Sequence, residues 1–274
     1  QDIEYIYMLH GTTSIHMAMR EHALDHYDTV FCPGPYQLEE IRYSEELHSL
    51  TPKKLIDTGY GVIEKLAERY EKSEKQKNDA PQILIAPSYQ TDNIMDSCIE
   101  ELLAQLLYKN YNIIIRPHPQ YIRRFPQKIK AFSEKHEAEL NQGQFEFQMD
   151  FSSGDTVYQS DLVITDWSSI SCEFAFATMK PVLFIDTPMK VINPHYTEYP
   201  MVPLDITLRN KIGRALALNE IETAESQIQE MLNNKESYQK QILNTRRDLM
   251  PNFGKSAEIG GKYILERLTT QKKG

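Results

Sequence analysis

The chain has 274 residues, enough to bury one large core or two moderate ones, and carries 39 acidic against 30 basic side chains, a formal net charge of −9. That balance argues against a surface built for nucleic acid, whose phosphate backbone calls for a basic stripe, and leaves room only for a local basic pocket. No uninterrupted apolar run approaches the roughly 18–20 residues of a membrane span, and no signal peptide precedes the first strand-like run, so a soluble or membrane-peripheral protein is expected.

The opening residue is Gln1 rather than Met, and the run IEYIYML follows almost at once, which points to a longer chain upstream. Three βα steps come first: IEYIYML with a helix over about Ser14 to His26, TVFCP with a helix over about Pro35 to His48, and KLIDTGY with a helix from about Val62. The last helix decays into YEKSEKQKND, a charged stretch with no apolar face. A domain boundary is placed near Asp79, dividing the chain into residues 1–79 and 80–274.

The strand-and-helix rhythm then repeats: QILIAP, a helix over Met95 to Lys109, NIIIRP, a helix over Arg124 to Leu140, FEFQM, a short helix near Thr156, LVIT, a helix opened by Trp167, Ser168 and Ser169, and VLFI. Five strands in this order predict a Rossmann-like parallel sheet. From Thr207 onward helical periodicity dominates, with a last helix over Ser256 to Leu268. Cys32, Cys98 and Cys172 sit in apolar segments without metal-like spacing, so buried, reduced thiols in a cytosolic setting are expected.

Two strand ends carry the chemistry. In RPHP, Arg116 and His118 follow a buried strand, and Pro117 and Pro119 restrict the backbone between them, which suits a diphosphate. The competing reading is a pair that satisfies strand-end carbonyls. Asp166, Ser168 and Ser169 follow LVIT, where unpaired helix N–H groups and the positive end of the macrodipole favour phosphate; ordinary helix capping is the alternative. Glu173 lies one turn further on and either faces the same ligand or is a first-turn acid favoured by the dipole.

His10, in MLHGTTS at the first strand's end, has the side-chain chemistry of a general base, although a strand-end histidine also serves structure alone. No GKS or GKT follows a glycine-rich loop, which excludes a P-loop. His22 and His26 form an i, i+4 pair near His16, and without an HExxH pattern they are read as a solvated helix face rather than metal ligands. Nor is there a D-x-D, so catalysis without a metal or other cofactor is expected. Arg123, Arg124, Lys128 and Lys130 form a basic cluster that is either a solvated face or a contact for anionic headgroups or a polyanionic acceptor. The apolar residues of FEFQMDF are read as core.

HGT at His10 to Thr12, YDTVFCPGPY, the GY of DTGYG, ILIAPSY, RPHP and SDLVITDWSSISCEFAFATMKPVLF occur in the order shown by the CDP-glycerol glycerophosphotransferases, the teichoic-acid polymerases and primases. The chain resembles that family to about Pro188. The resemblance implies a GT-B architecture, two Rossmann-like domains with a ligand cleft between them, residues 1–79 being the C-terminal part of an incomplete acceptor-side domain and residues 80–274 the donor-nucleotide domain with C-terminal helices. It implies transfer of glycerol phosphate, or another polyol phosphate, from a CDP-activated donor to a lipid-linked or polymeric cell-envelope or capsule acceptor, with release of CMP. In that scheme His10 is the general base, His118 sits on the donor pyrophosphate, and Arg116, Asp166, Ser168 and Ser169 hold the phosphates. The enzyme is then expected in the cytoplasm, in peripheral contact with the inner face of the plasma membrane. Family members commonly continue the first motif as HGTP with a following lysine and glycine, whereas this chain reads HGTTSIHMAM. Two other functions stay open: a GT-B glycosyltransferase or epimerase-like enzyme using a nucleotide sugar, and a non-catalytic nucleotide-binding domain of a larger synthase.

Overall fold

The computed structural model describes residues 3–73, 79–151 and 154–271; residues 74–78, within the charged stretch expected as a linker, lie outside the described residues. The chain forms two compact units, one from residues 1–65, 191–207 and 244–274, the other from residues 66–190 and 208–243.

The first unit holds a parallel sheet of β1 (Ile6–Met8), β2 (Thr29–Cys32) and β3 (Lys54–Asp57) in that spatial order. The central strand β2 is buried along its whole length, as a strand covered on both faces must be, and its TVFC sequence is accordingly a continuous apolar run after one threonine. Val30 and Cys32 pack with Leu9, Leu24 and Ile41.

The C-terminal helix Ser256–Gln271 belongs to this first unit, whereas the sequence groups it with residues 80–274. Its contacts give the reason. The Tyr263 hydroxyl lies 3.0 Å from the Thr29 hydroxyl, the Tyr263 ring meets Phe31 edge-on at 5.6 Å, and Lys54 lies over that ring at 4.5 Å. Just before the helix, Asn252 donates its side-chain N–H to the Asp57 carbonyl at 2.8 Å.

The helix expected over Ser14 to His26 stops early: only Ile15–Ala18 is helical, and residues 21–26 run as turns. The carbonyls needed to extend it are taken. Ile192 and Asn193 donate their backbone N–H groups to the Met17 carbonyl, and the Asn193 side chain donates to the His16 carbonyl. His22 therefore adopts a left-handed φ of 61° and does not share a helical face with His26.

The second unit is built on a six-stranded sheet of β4 (Gln82–Ile85), β5 (Asn112–Ile115), β6 (Glu146–Phe147), β7 (Leu162–Thr165), β8 (Val182–Asp186) and β9 (Gly213–Ala217), in the spatial order β6-β5-β4-β7-β8-β9. Every pairing is parallel. QILI and LVIT, side by side in the middle, are completely buried. The helix expected over Arg124 to Leu140 is three shorter ones, Pro119–Arg124, Pro126–Lys135 and Glu137–Asn141, the first two each started by a proline at the first position. Among the described residues no helix is long and apolar enough to cross a membrane.

The strand β9 has the sequence GRALA, which carries no β-branched residue and reads as helix; pairing with β8 from Val182–Gly213 to Asp186–Ala217 makes it a strand. Gly213 permits that approach, since a Cβ there would sit 1.7 Å from the Val182 carbonyl oxygen. Gly213→Ala is expected to push β9 off the sheet and cost about 3 kcal/mol, read as a lowered urea midpoint with far-UV circular dichroism as the probe.

Candidate functional site

Chain order and spatial order diverge at one place in the second sheet: β4 leads outward through β5 to β6 on one side, and the chain then returns to β7, β8 and β9 on the other. The adjacent strands β4 and β7 there lead to opposite sides of the sheet, the position at whose C-terminal edge open α/β sheets take their ligands. Arg116 and His118 follow β5, Ser88 and Tyr89 follow β4, Asp166 to Ser169 follow β7, and Thr187 to Lys190 follow β8. His10 belongs to the other unit, at the C-terminal edge of β1.

Asp166, 1% exposed, sits at the divergence. Its Oδ1 accepts the backbone N–H groups of Ser88 at 2.8 Å and Trp167 at 2.7 Å, and its Oδ2 accepts that of Ile94 at 3.1 Å. A carboxylate so engaged holds loops together and presents no oxygen to a ligand, so its part differs from the phosphate contact expected from the sequence. Arg209, 4% exposed, completes the frame. It donates to the carbonyls of Asp166 and Ile185 at 3.1 Å each, pairs with Asp186, and lies 4.2 Å from the Trp167 ring and 4.6 Å from the Phe184 ring.

His118 caps the helix Pro119–Arg124, its Nδ1 accepting the Gln120 backbone N–H at 3.1 Å. A neutral ring so bound must carry its proton on Nε2, which is then a donor free for a phosphate oxygen. Burial, and secondarily the Lys190 ammonium, hold this imidazole below its ordinary pKa. The Tyr89 ring lies between these two groups, 5.2 Å from the His118 ring and 4.9 Å from the Lys190 Nζ. Arg116 is half-buried with its guanidinium 4.8 Å over the Phe151 ring; burial lowers its pKa and nearby Asp150 opposes the shift.

Ser169 occupies the N-cap of the helix Ile170–Thr178 without a side-chain cap bond, its hydroxyl instead donating to Glu173 at 3.4 Å. The Ser168 hydroxyl and the backbone N–H groups of Ser169 and Ile170 find no partner among the described residues. These are groups an anion can take. Burial raises the Glu173 carboxyl above its usual range, with the Ser169 bond opposing, so this side chain is suited to hydrogen bonding rather than to carrying charge.

In the first unit His10 is exposed, with its Nδ1 3.4 Å from the Tyr7 hydroxyl. Its loop is pinned on several sides. Tyr60 donates to the His10 carbonyl at 2.8 Å, and the Gln37 side-chain N–H donates to the carbonyls of Gly11 and Thr13 at 3.1 Å each. Ser14 donates its backbone N–H to Asp205 at 2.8 Å, and its hydroxyl accepts the Leu204 backbone N–H. His16 is buried, stacked on Tyr199 at 4.8 Å with its Nδ1 3.1 Å from Glu40.

Tyr89, Lys190 and Arg209 escape the sequence reading. Tyr89 and Lys190 each follow a strand of the same sheet, so the strand-end rule that finds Arg116 also reaches them. Arg209 stands in a helical segment far along the chain and carries no such signal. Phe145 is core as expected, but Met149 is exposed and Phe151 supports Arg116. The basic cluster divides: Lys128 pairs with Asp96 and Lys130 with Glu134, while Arg123 and Arg124 are exposed. Cys32, Cys98 and Cys172 are all buried, and burial pushes the thiols of Cys32 and Cys98 up to about 12.

A family model described as CDP-Glycerol:Poly(glycerophosphate) glycerophosphotransferase matches residues 1–247. Among solved structures, the wall teichoic acid polymerase TagF superposes with a TM-score of 0.61 at 14% identity over 100% of this chain and 70% of that one. A variant of TagF soaked with CDPG gives a TM-score of 0.62 at 15% identity over 99% and 70%. The UDP-GlcNAc 2-epimerase of Methanocaldococcus jannaschii, in complex with UDP-GlcNAc and UDP, gives 0.53 at 14% identity over 93% and 67%. At such identities these likenesses show the fold, which is α/β with parallel sheets of the GT-B kind. No curated protein matches the chain in sequence.

Two outcomes are expected from this geometry. In ¹⁵N-edited NMR the neutral His118 ring should be the Nε2–H tautomer and titrate below the ordinary value of about 6.5. Its folded pKa being depressed, the unfolded chain takes up the extra proton, so His118 costs stability as pH falls through about 6.5 and below, a cost absent in His118→Gln. Asp166→Asn sets an N–H₂ against backbone N–H groups and should lower stability by about 2–4 kcal/mol, read as a drop in thermal midpoint.

Proposed function

The chain belongs to the CDP-glycerol:poly(glycerophosphate) glycerophosphotransferase family and is an enzyme of that type, and on this premise we propose that it moves glycerol phosphate from CDP-glycerol to a hydroxyl of a lipid-linked or polymeric acceptor, releasing CMP. The observation that carries the reading is the set of donors and cations at the second sheet's divergence: Arg116, the His118 Nε2–H, Lys190, the Ser168 hydroxyl and the free N–H groups that open the helix Ile170–Thr178. A diphosphate needs such an array. In the transfer, the acceptor oxygen bonds to the β-phosphorus, the bond from that phosphorus to the bridging oxygen breaks, and the electron pair leaves with CMP. Fixed donors and cations stabilise the charge that builds on the departing phosphate.

His10, exposed at the end of β1, is the proposed general base that takes the acceptor hydroxyl's proton, with Tyr7 orienting its ring. Glu173, protonated more readily than an ordinary carboxyl, is proposed as a hydrogen-bonding group toward the donor nucleotide, with Ser169 positioning it. Asp166 acts through the loops it holds. The transfer is assigned to protein groups without a metal cofactor, in keeping with a sequence that lacks D-x-D. Another CDP-polyol would engage the same diphosphate-binding groups. The proposed setting is the cytoplasmic face of the membrane, where the exposed Arg123 and Arg124 meet anionic headgroups. In place of the division into residues 1–79 and 80–274, the donor nucleotide is assigned to the second unit, residues 66–190 and 208–243, and the acceptor to the first.

Calorimetric titration with CDP-glycerol, CMP, CDP and UDP-sugars, joined to an assay of the nucleotide released, tests this reading. Selective cytidine binding and CMP release are expected. His118→Ala should weaken donor binding at least tenfold, and His10→Ala should lower turnover by about 10²–10⁴-fold while leaving donor affinity nearly unchanged. Preference for a UDP-sugar with UDP release, or full activity in both variants, would overturn it.

A further inference from the structure

The turns that replace the expected helix after Ala18 bring three ligating side chains together in the first unit. One ligand atom from each of Glu21, His22 and His48 lies within 4.8 Å of the other two. His48 is the C-cap residue of the helix Pro35–Leu47, so the cluster joins residues 21–26 to the far end of that helix.

The details suit a metal better than a hydrogen-bonded cluster. The His48 Nε2 is 3.4 Å from the Glu21 Oε1, yet it is buried and makes no hydrogen bond. In the tautomer that keeps its lone pair on Nε2, the ring faces the carboxylate with nothing between them, which is unfavourable for a buried atom. A cation bound by both atoms removes the conflict. Bonds of about 2.0–2.1 Å at tetrahedral angles place ligand atoms roughly 3.3 Å apart, close to the separation observed. The remaining ligand atom, within 4.8 Å of the others, needs to close by at most about 1.5 Å.

His22 is already set for this role. Its Nδ1 lies 2.8 Å from the Asp25 Oδ2, so the neutral ring donates from Nδ1 and keeps a lone pair on Nε2. Carboxylate–histidine–metal chains use this arrangement to fix the tautomer and raise ligand basicity. The His22 ring is 4.8 Å from the His48 ring. Two imidazoles and one carboxylate select zinc or a similar transition metal over calcium and magnesium, which prefer oxygen alone.

We propose that Glu21, His22 and His48 form a binding site for a zinc-class divalent metal, with Asp25 holding His22 from behind. The site is separate from the residues assigned to phosphoryl transfer and does not depend on that reading. The metal ties the turns at residues 21–26 to the helix Pro35–Leu47 and leaves one coordination position for water on the exposed His22 side.

Chelator-treated protein titrated with Co²⁺, followed by displacement with Zn²⁺, tests the site directly. One equivalent of cobalt is expected to give visible absorption of a four- or five-coordinate site, to be displaced by zinc, and to raise the thermal midpoint. His22→Gln and His48→Gln should each lose the band or weaken binding at least tenfold, and Asp25→Asn should weaken it about 10–100-fold. His26→Gln, outside the cluster, should bind as the parent does. His22 is exposed, so its variant gives the answer should His48→Gln fail to fold. Absence of the band in the parent, a band that survives His22→Gln, or equal retention of Ca²⁺ or Mg²⁺ would overturn the proposal.

Discussion

Asp166 is a buried charge that the second unit cannot leave unpaired. Without partners a carboxylate in such surroundings would cost several kcal/mol, and here three backbone N–H groups from the loops after β4 and β7 supply them. The loops are therefore tied to one another as well as to the sheet. Arg209 extends the same constraint to the end of β8 by gripping the Asp166 and Ile185 carbonyls between two aromatic rings. What remains at the sheet's edge is a rim of cations and N–H donors whose spacing is set from below. An anion binding there meets groups already held in place, and the ordering cost has been met in folding.

The path of the second sheet was legible because its strands are continuous apolar runs ending in polar residues, and parallel strands put all those endings on one edge. The same rule places Arg116, His118, Ser168 and Ser169 after strands at that edge, and the structure has them there. The role of Asp166 was not, since a carboxylate after a strand reads the same whether it points at a ligand or down into the loops; only its three N–H partners distinguish the cases. Arg209 was invisible because its partners lie 23 or more residues earlier in the chain.

Local pattern also failed where tertiary bonds overrode it. Residues 14–26 carry helical periodicity, but Ile192 and Asn193 capture the carbonyls that a longer helix would use. The strand β9 has helix-forming composition and becomes a strand because Gly213 lets two backbones approach. The loop HGTTS departs from the motif it resembles, yet Gln37, Tyr60, Asp205 and the Leu204 N–H fix it by contacts the motif itself does not record. In each case the deciding partner is distant in sequence.

The first unit is assembled from residues 1–65, 191–207 and 244–274, with the whole second unit threaded between its pieces. During synthesis the second unit, nearly continuous in the chain, has all its strands before the last piece of the first unit emerges. The short sheet β1-β2-β3 must wait for Asn252 and Tyr263 before its outer contacts close. Within these residues completion therefore runs against the order of synthesis: the unit whose strands come first is completed last, its apolar strands remaining incompletely covered meanwhile. This is the interval in which a nascent chain is most exposed to aggregation and most in need of a chaperone.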